Sequence, residues 1–374
     1  MVKKKVKRRK MGSIDYGVFY TVIILLAIGI VMVYSASSYF AMYHYNDSTN
    51  FLKKQILASI LGLAAMVFFM KFDYHKLKRF TVPLMVITIP LLLAVKLFPA
   101  VKGAQRWIQL GPFSFQPSEL AKYVVVMFLA MSLAAIGDRV KDFWKGIVPY
   151  LAIAGFYAAL VLAQKNLSVA AIIMIVTFIM LFSAGGTKKH LFGIVAPTLT
   201  AAALVFALGE QYRRARMLNF INPWKDAAGD GYQLIQSFYA LGAGGITGLG
   251  LGQSRQKTIY MPEPHNDFIF SIIGEELGLI GCVVVITLFI ISIWRGFKVA
   301  FEARDTYGTL LALGITSVIA VQAIINIAVV TGSMPVTGVP LPFISYGGTS
   351  LTFTMMAMGI LLNISRQNKK MAEV

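Results

Sequence analysis

The sequence predicts an all-α polytopic membrane protein with about ten transmembrane helices and a long external loop between helices 7 and 8. Three observations carry that prediction. Of 374 residues, 57% are hydrophobic and 14% charged, with mean hydropathy +0.71. A soluble domain carries about 25% charged residues, so this chain lacks the polar surface to wrap its apolar mass in water. Apolar runs of bilayer-spanning length recur along the whole chain. Lysine and arginine gather in alternate connections between those runs, the bias that sets membrane orientation.

Residues 1–15 form a basic tail, with Lys3, Lys4, Lys5, Lys7, Arg8, Arg9 and Lys10 ahead of the first run. No small-residue cleavage site follows that run, so a cytoplasmic anchor is expected rather than a cleaved signal peptide. Runs at 16–36, 51–70, 81–98, 117–136, 146–163, 167–183 and 190–208 supply helices 1 to 7. The fifth and sixth are joined only by Gln164, Lys165 and Asn166. A long loop over 209–266 precedes runs at 267–293, 306–330 and 346–364, which supply helices 8 to 10 of a transmembrane domain spanning 16–364. Residues 365–374 are left as a cytoplasmic C-terminal tail. With the N-terminus inside, the inner connections hold Lys71, Lys76, Lys78, Arg79, Arg139, Lys141, Lys145, Lys188, Lys189, Arg295, Lys298 and Arg304. The short outer ones hold Lys53, Lys54, Lys96, Lys102, Arg106 and Lys165. Ten spans with both termini inside satisfy this alternation. It also accounts for the net charge of +19, so no nucleic-acid partner is expected. The single cysteine, Cys282, lies in an apolar run and reads as a core residue with no disulfide role within the chain.

The unusual polar chemistry collects on the outer side. Asp267 stands where the long loop meets helix 8, and Lys122 lies inside the fourth apolar run. A charge at membrane depth costs roughly 3 kcal/mol on insertion scales, so each is a candidate functional residue and the two are candidates to pair. Snorkelling of Lys122 to water, or an i,i+3 pair with Glu119, remains open. Glu119 also suits the first turn of helix 4, where Ser118 is a plausible cap. Segment 331–348 is rich in Pro and Gly and reads either as a re-entrant, cavity-lining loop or as an external turn. Arg213, Arg214 and Arg216 cluster in the long loop, where guanidinium forks suit phosphate or a membrane lipid headgroup. The glycine run 242–252 lacks the Gly-Lys-Ser/Thr ending of a P-loop, so close backbone packing is expected instead of nucleotide binding. Glu275 and Glu276, deeper in helix 8, read as a structural polar knot. Four scattered histidines and one cysteine form no zinc signature, so no metal site is expected. Ser345 and Ser350 read as loop hydrogen-bonding residues rather than nucleophiles.

Three stretches resemble a known family. They are His265-Asn-Asp-Phe-Ile-Phe-Ser-Ile-Ile-Gly-Glu-Glu-Leu-Gly278, Gly338-Val-Pro-Leu-Pro-Phe-Ile-Ser-Tyr-Gly-Gly-Thr-Ser350, and Arg106-Trp-Ile with Gln116-Pro-Ser-Glu-Leu-Ala-Lys122. They look like the SEDS proteins, the shape, elongation, division and sporulation family of FtsW, RodA and SpoVE. The likeness runs from about residue 15 to 365. Gly229-Asp-Gly-Tyr-Gln-Leu-Ile-Gln236 and Gly250-Leu-Gly-Gln-Ser-Arg-Gln-Lys257 resemble the FtsW and SpoVE branch more than RodA. The resemblance implies a ten-span, inverting peptidoglycan glycosyltransferase of the bacterial cytoplasmic membrane. Its active site would face outward and polymerise lipid II beside a class B penicillin-binding protein.

The same resemblance implies that Asp267 and Lys122 are catalytic, and maps the tryptophan of its Arg-Trp-Ile motif onto Trp107. Arg106, Arg213, Arg214, Arg216, Glu119, His265 and Ser345 join Trp107 as candidate substrate-binding residues. The residues fit that chemistry. A sugar hydroxyl needs a general base, for which Asp267 is suited. Lys122 would keep that carboxyl ionised, and arginines would meet pyrophosphate. One carboxylate without a covalent nucleophile suits single-step inversion. A divalent cation, Mg2+ or Mn2+, bridging the pyrophosphate fits this scheme, although the sequence displays no ligands for one. Two other functions use the same features: a lipid II transporter, for which the sequence shows no convincing internal repeat, and a non-catalytic scaffold for the penicillin-binding protein.

Overall fold

Helices in this chain begin where the sequence supplies a group for their unpaired first-turn amides. In the computed structural model, which describes residues 12–100, 103–111, 113–209, 214, 220–258 and 260–368, Asp15 caps α1 (Tyr16–Tyr45) by accepting from the Val18 amide at 3.0 Å. Asn166 caps α6 (Leu167–Ser183) through the Val169 amide, and Asp305 caps α10 (Thr306–Val330) through the Gly308 amide. Proline needs no amide partner, and Pro117 opens α4 (Pro117–Ile136). The remaining spans are α2 (Asn50–Lys71), α3 (Leu77–Ala94), α5 (Val148–Leu162), α7 (Ala196–Gly209), α9 (Ile269–Glu302) and α11 (Gly348–Arg366). A shorter helix, α8 (Tyr232–Gly244), lies between α7 and α9.

Among the described residues, nine helices are long and apolar enough to cross a membrane, and α6 is an apolar helix of 17 residues. This matches the expected ten spans. Several helices run past the apolar core that defines them: α1 continues to Tyr45 and α9 to Glu302. The most enclosed span is α10, packed by α4, α6, α9 and α11, while α2 lies along α11.

Side-chain bonds show which helix ends share a rim. At one rim Asp15 meets Arg295 at 2.9 Å and Ser365 through its own amide. Gly12 and Arg366 bond main chain to main chain, Asn363 joins Met70 and Tyr74, and Tyr74 donates to Asp305. The starts of α1, α3 and α10 and the ends of α2, α9 and α11 therefore lie together. At the other rim Gln164, after α5, donates to Leu92 of α3, and Ser168 of α6 donates to the Thr337 carbonyl. Chain direction alternates as the charge bias requires, and the two described chain ends share one rim.

Two features depart from the sequence reading. A two-stranded antiparallel hairpin, β1 (Ile108–Leu110) and β2 (Phe113–Phe115), precedes α4 in the otherwise helical fold. Thr349 at the start of α11 donates to Ser114 of that hairpin. The stretch 209–266, read as a loop, contains α8 and a glycine-rich turn docked on α9. Gly278 breaks α9 with φ 65°. The Leu249 and Gly250 amides bond the Glu275 and Glu276 carbonyls, and the Leu279 and Ile280 amides bond back to Gly245 and Ile246. Such approach leaves no room for side chains. A Cβ on Gly244 would lie 1.9 Å from the Gly274 oxygen, and one on Gly248 would lie 2.2 Å from the Glu276 oxygen. The expected close backbone packing of the glycine run is what the fold contains.

Gly248→Ala is expected to destabilise by more than about 1 kcal/mol, because φ is +83° and the contact is with main chain. Gly242→Ala, with open space around its α-carbon, serves as control. Thermal unfolding midpoints in detergent compare the two.

Candidate functional site

The site is built on the rim opposite the two chain ends, from the starts of α4 and α9, the end of α10 and the irregular segment 331–348. On α4, Glu119 and Lys122 are three residues apart and share a face. The Lys122 ammonium lies 2.9 Å from Glu119 Oε2 and donates at 3.1 Å to Gln322 Oε1 of α10. Both charged side chains are enclosed, at 0% and 3% exposure. The pairing of Lys122 with Asp267 offered by the sequence is thus corrected: among the described residues, the carboxylate within ion-pair distance of the ammonium is Glu119. A partner one turn away on the same helix is reached without crossing the bundle. Snorkelling is excluded as well, since Lys122 is buried.

Asp267 sits half-buried in the turn that leads into α9. Asn326 of α10 fixes its main chain, donating from Nδ2 to the Asp267 carbonyl and to the Val339 carbonyl, each at 2.7 Å. Gly338, with φ 70°, faces the carboxylate: a Cβ there would stand 3.7 Å from Asp267 Oδ2. Gln322 and Asn326 are one turn apart on α10, roughly 6 Å along its axis. The helix therefore holds the Lys122 ammonium on one rung and the Asp267 main chain on the next.

The second half of segment 331–348 is tucked into protein, while Thr331, Ser333 and Gly338 are exposed. Val339, Leu341, Phe343 and Ile344 are buried. Gly29 of α1 packs so closely that a Cβ would fall 2.5 Å from the Phe343 oxygen. Phe343 adopts φ 64°, a conformation that costs a bulky residue about 1–3 kcal/mol. Ser345 accepts from the Leu341 amide at 2.8 Å, and its own amide bonds the Leu341 carbonyl. It braces this loop. The buried His265 ring lies among Phe51, Tyr346 and Phe40, with centroids 4.3, 5.6 and 5.7 Å away, and its carbonyl accepts from the Tyr346 amide. Its place is a joint between segment 331–348 and the Asp267 turn.

Trp107 is half-buried just ahead of β1. Arg106 donates to the carbonyls of Gln164 and Lys165, so its guanidinium caps the connection between α5 and α6. Arg214 is exposed. Arg213 and Arg216 lie outside the described residues. Among the described residues, no three His, Cys, Asp or Glu side chains converge to hold a metal ion.

Glu275 and Glu276 form the expected knot. Glu276 accepts from Lys257 Nζ at 2.7 Å and from Ser35 of α1 at 2.7 Å. Glu275 accepts from the Arg255 amide at 2.9 Å and from Ser254 Oγ. The loop before Asp267 is thereby tied to α1 and α9. Lys257 was missed from sequence, although two glutamates inside a span call for a cation. Gln322 and Asn326 were missed too; their signal is a pair of carboxamides one turn apart within an apolar run.

Comparison with known proteins agrees with this architecture. The model of the FtsW/RodA/SpoVE cell cycle protein family matches residues 16–370. The chain is 42% identical over 368 residues to a probable peptidoglycan glycosyltransferase FtsW of Geobacter metallireducens, covering 98% of each. It is 43% identical over 364 residues to the stage V sporulation protein E of Bacillus subtilis, covering 96% of this chain and 99% of that one. A solved peptidoglycan synthase complex, described as coordinating polymerization and crosslinking, contains a chain that superposes with TM-score 0.78 at 30% identity, covering 94% of this chain and 98% of that one.

Removing one member of a buried ion pair strands the other, at a cost of about 3–5 kcal/mol. Lys122→Met is expected to lower thermal stability by that order, and Glu119→Gln/Lys122→Met to recover most of it without recovering activity. A double-mutant cycle on unfolding midpoints in detergent measures the coupling.

Proposed function

Because the chain belongs to the FtsW/RodA/SpoVE family of cell cycle proteins, we propose that its Asp267 rim is the active site at which lipid II is polymerised into glycan. The protein is a multi-pass membrane peptidoglycan glycosyltransferase. In the proposed reaction the 4-hydroxyl of an acceptor sugar attacks the anomeric carbon of a lipid-linked donor. The new glycosidic bond forms as the bond to pyrophosphate breaks, with inversion. Asp267 takes the hydroxyl proton, and the undecaprenyl pyrophosphate leaves with its negative charge.

The observation that carries this reading is the placement of Asp267. Glu119, Glu275 and Glu276 are buried. Asp267 is partly exposed at the rim, its main chain clamped and a glycine against its carboxyl group. A general base must be reachable by a hydroxyl and held in place, and Asp267 meets both conditions. Lys122, paired with Glu119, acts in this reading as a fixed dipole held by Gln322, one turn along α10 from the Asn326 that clamps the Asp267 main chain. Trp107 offers an aromatic face to a sugar ring. Arg213, Arg214 and Arg216 meet the pyrophosphate. A divalent cation, if recruited, would neutralise charge on the pyrophosphate; no three His, Cys, Asp or Glu side chains among the described residues would hold it.

We place this rim on the outer face of the bacterial cytoplasmic membrane, with both termini inside. The charge bias of the connections supports this, as does the alternation of helix ends. A class B penicillin-binding protein is the proposed partner, in keeping with the synthase complex to which this chain is similar.

The test is polymerisation of purified lipid II by the detergent-solubilised protein with its transpeptidase partner, read as glycan on a gel. Detergent abolishes the sealed compartments that a transporter needs, so glycan product separates the enzyme from that alternative. Asp267→Asn is expected to lower turnover by about 10²–10⁴-fold in folded protein. Near-normal turnover would exclude the base assignment.

A further inference from the structure

Gln322 and Asn326 are both 1% exposed in the last turns of the most enclosed span among the described residues. A carboxamide there has no water to bond, and each unmade hydrogen bond at such a depth costs about 1–3 kcal/mol. Neither side chain serves its own helix. Gln322 Oε1 accepts from the Lys122 ammonium of α4 at 3.1 Å. Asn326 spends both amide hydrogens on two segments that regular structure does not otherwise hold: the Asp267 carbonyl and the Val339 carbonyl, each at 2.7 Å. Its Oδ1 is buried without a hydrogen-bond partner. The local benefit is incomplete, so the pattern is not that of a simple stabilising bond.

The two contacts of Asn326 join the turn carrying Asp267 to the residue following Gly338, the glycine that faces the Asp267 carboxylate. The contact of Gln322 fixes the charge next to that turn. Both rungs belong to one rigid helix, so the distance between the Lys122 ammonium and the Asp267 turn is set by α10 and not by either loop.

We propose that Gln322 and Asn326 are positioning residues for glycan polymerisation: α10 acts as a ruler that holds the Lys122–Glu119 pair and the main chain of the Asp267 turn at a fixed spacing. This rests on the reading of Asp267 as the base. Neither carboxamide touches substrate in this scheme. Each acts through the residue it binds. Displacement of a reacting group by about 1 Å can cost 10²-fold in rate, which is the size of effect a ruler controls.

The experiment compares Asn326→Leu and Gln322→Leu with the unaltered protein, each purified with its transpeptidase partner. Leucine keeps approximate volume and suits a membrane helix, so both variants are expected to insert and to run as a single species in size exclusion. The readouts are kcat and KM for lipid II, and the pH profile of kcat. The ruler predicts a kcat lower by about 10²-fold for Asn326→Leu, KM within about threefold, and a displaced acid limb, because the surroundings of the base have changed. Gln322→Leu is predicted to lower kcat with the same KM pattern. If folded Asn326→Leu keeps kcat within about threefold, or loses activity only in proportion to folded protein with the pH profile unmoved, the proposal is overturned. Asp267→Asn in parallel separates the two layers. Full activity there removes the base assignment on which the ruler stands. An inactive Asp267→Asn beside a fully active Asn326→Leu removes the ruler alone.

Discussion

A lysine ammonium enclosed in a membrane bundle is the constraint around which this molecule is arranged. Inserting such a charge costs roughly 3 kcal/mol on the most lenient scale, so its partners decide whether the fold tolerates it. Lys122 has one partner of opposite charge, Glu119, on its own helix, and one neutral acceptor, Gln322, on the next. The pair carries no net charge and can stay dry. Because the acceptor belongs to α10, the pair also locks two spans in register. Apolar packing between α4 and α10 would tolerate sliding; a directional bond to an ammonium does not.

From that lock the site extends by one helical turn. Asn326 reaches from the same helix to the Asp267 turn and to the re-entrant segment. On the far side, the Lys257–Glu276–Ser35 cluster and the glycine turn docked at Gly278 hold the beginning of α9 and the loop before it. Asp267 thus stands, half-buried, between two anchored structures. Rigidity is supplied by buried polar groups with defined partners.

Much of this was legible in the sequence. The spans were readable because hydrocarbon thickness imposes a minimum length on every apolar run, and the alternation of Lys and Arg gave their order. Asp267, Lys122 and Glu119 stood out because charge is rare at that depth. What the chain concealed depends on three-dimensional proximity. Asp267 and Lys122 looked like natural partners on charge alone, yet the Glu119 spacing on α4 was the geometry that prevailed. The hairpin at 108–115 is too short for a period-two signal, and α8 lies among polar residues that mask its buried Leu234, Ile235 and Ala240. Gln322 and Asn326 are neutral and sit within an apolar average, so nothing about them draws notice until the helices are assembled. Lys257 lies ten residues before Asp267 and becomes meaningful only when the loop folds back on Glu276.

The most direct test of the central claim is a structure of the Asp267→Asn protein with lipid-linked acceptor and donor bound. The account predicts that the acceptor 4-hydroxyl oxygen lies within about 3 Å of the residue 267 side chain, on the face of the donor sugar opposite its pyrophosphate. An acceptor hydroxyl seated beyond the reach of that side chain, with another residue in position to take its proton, would contradict it.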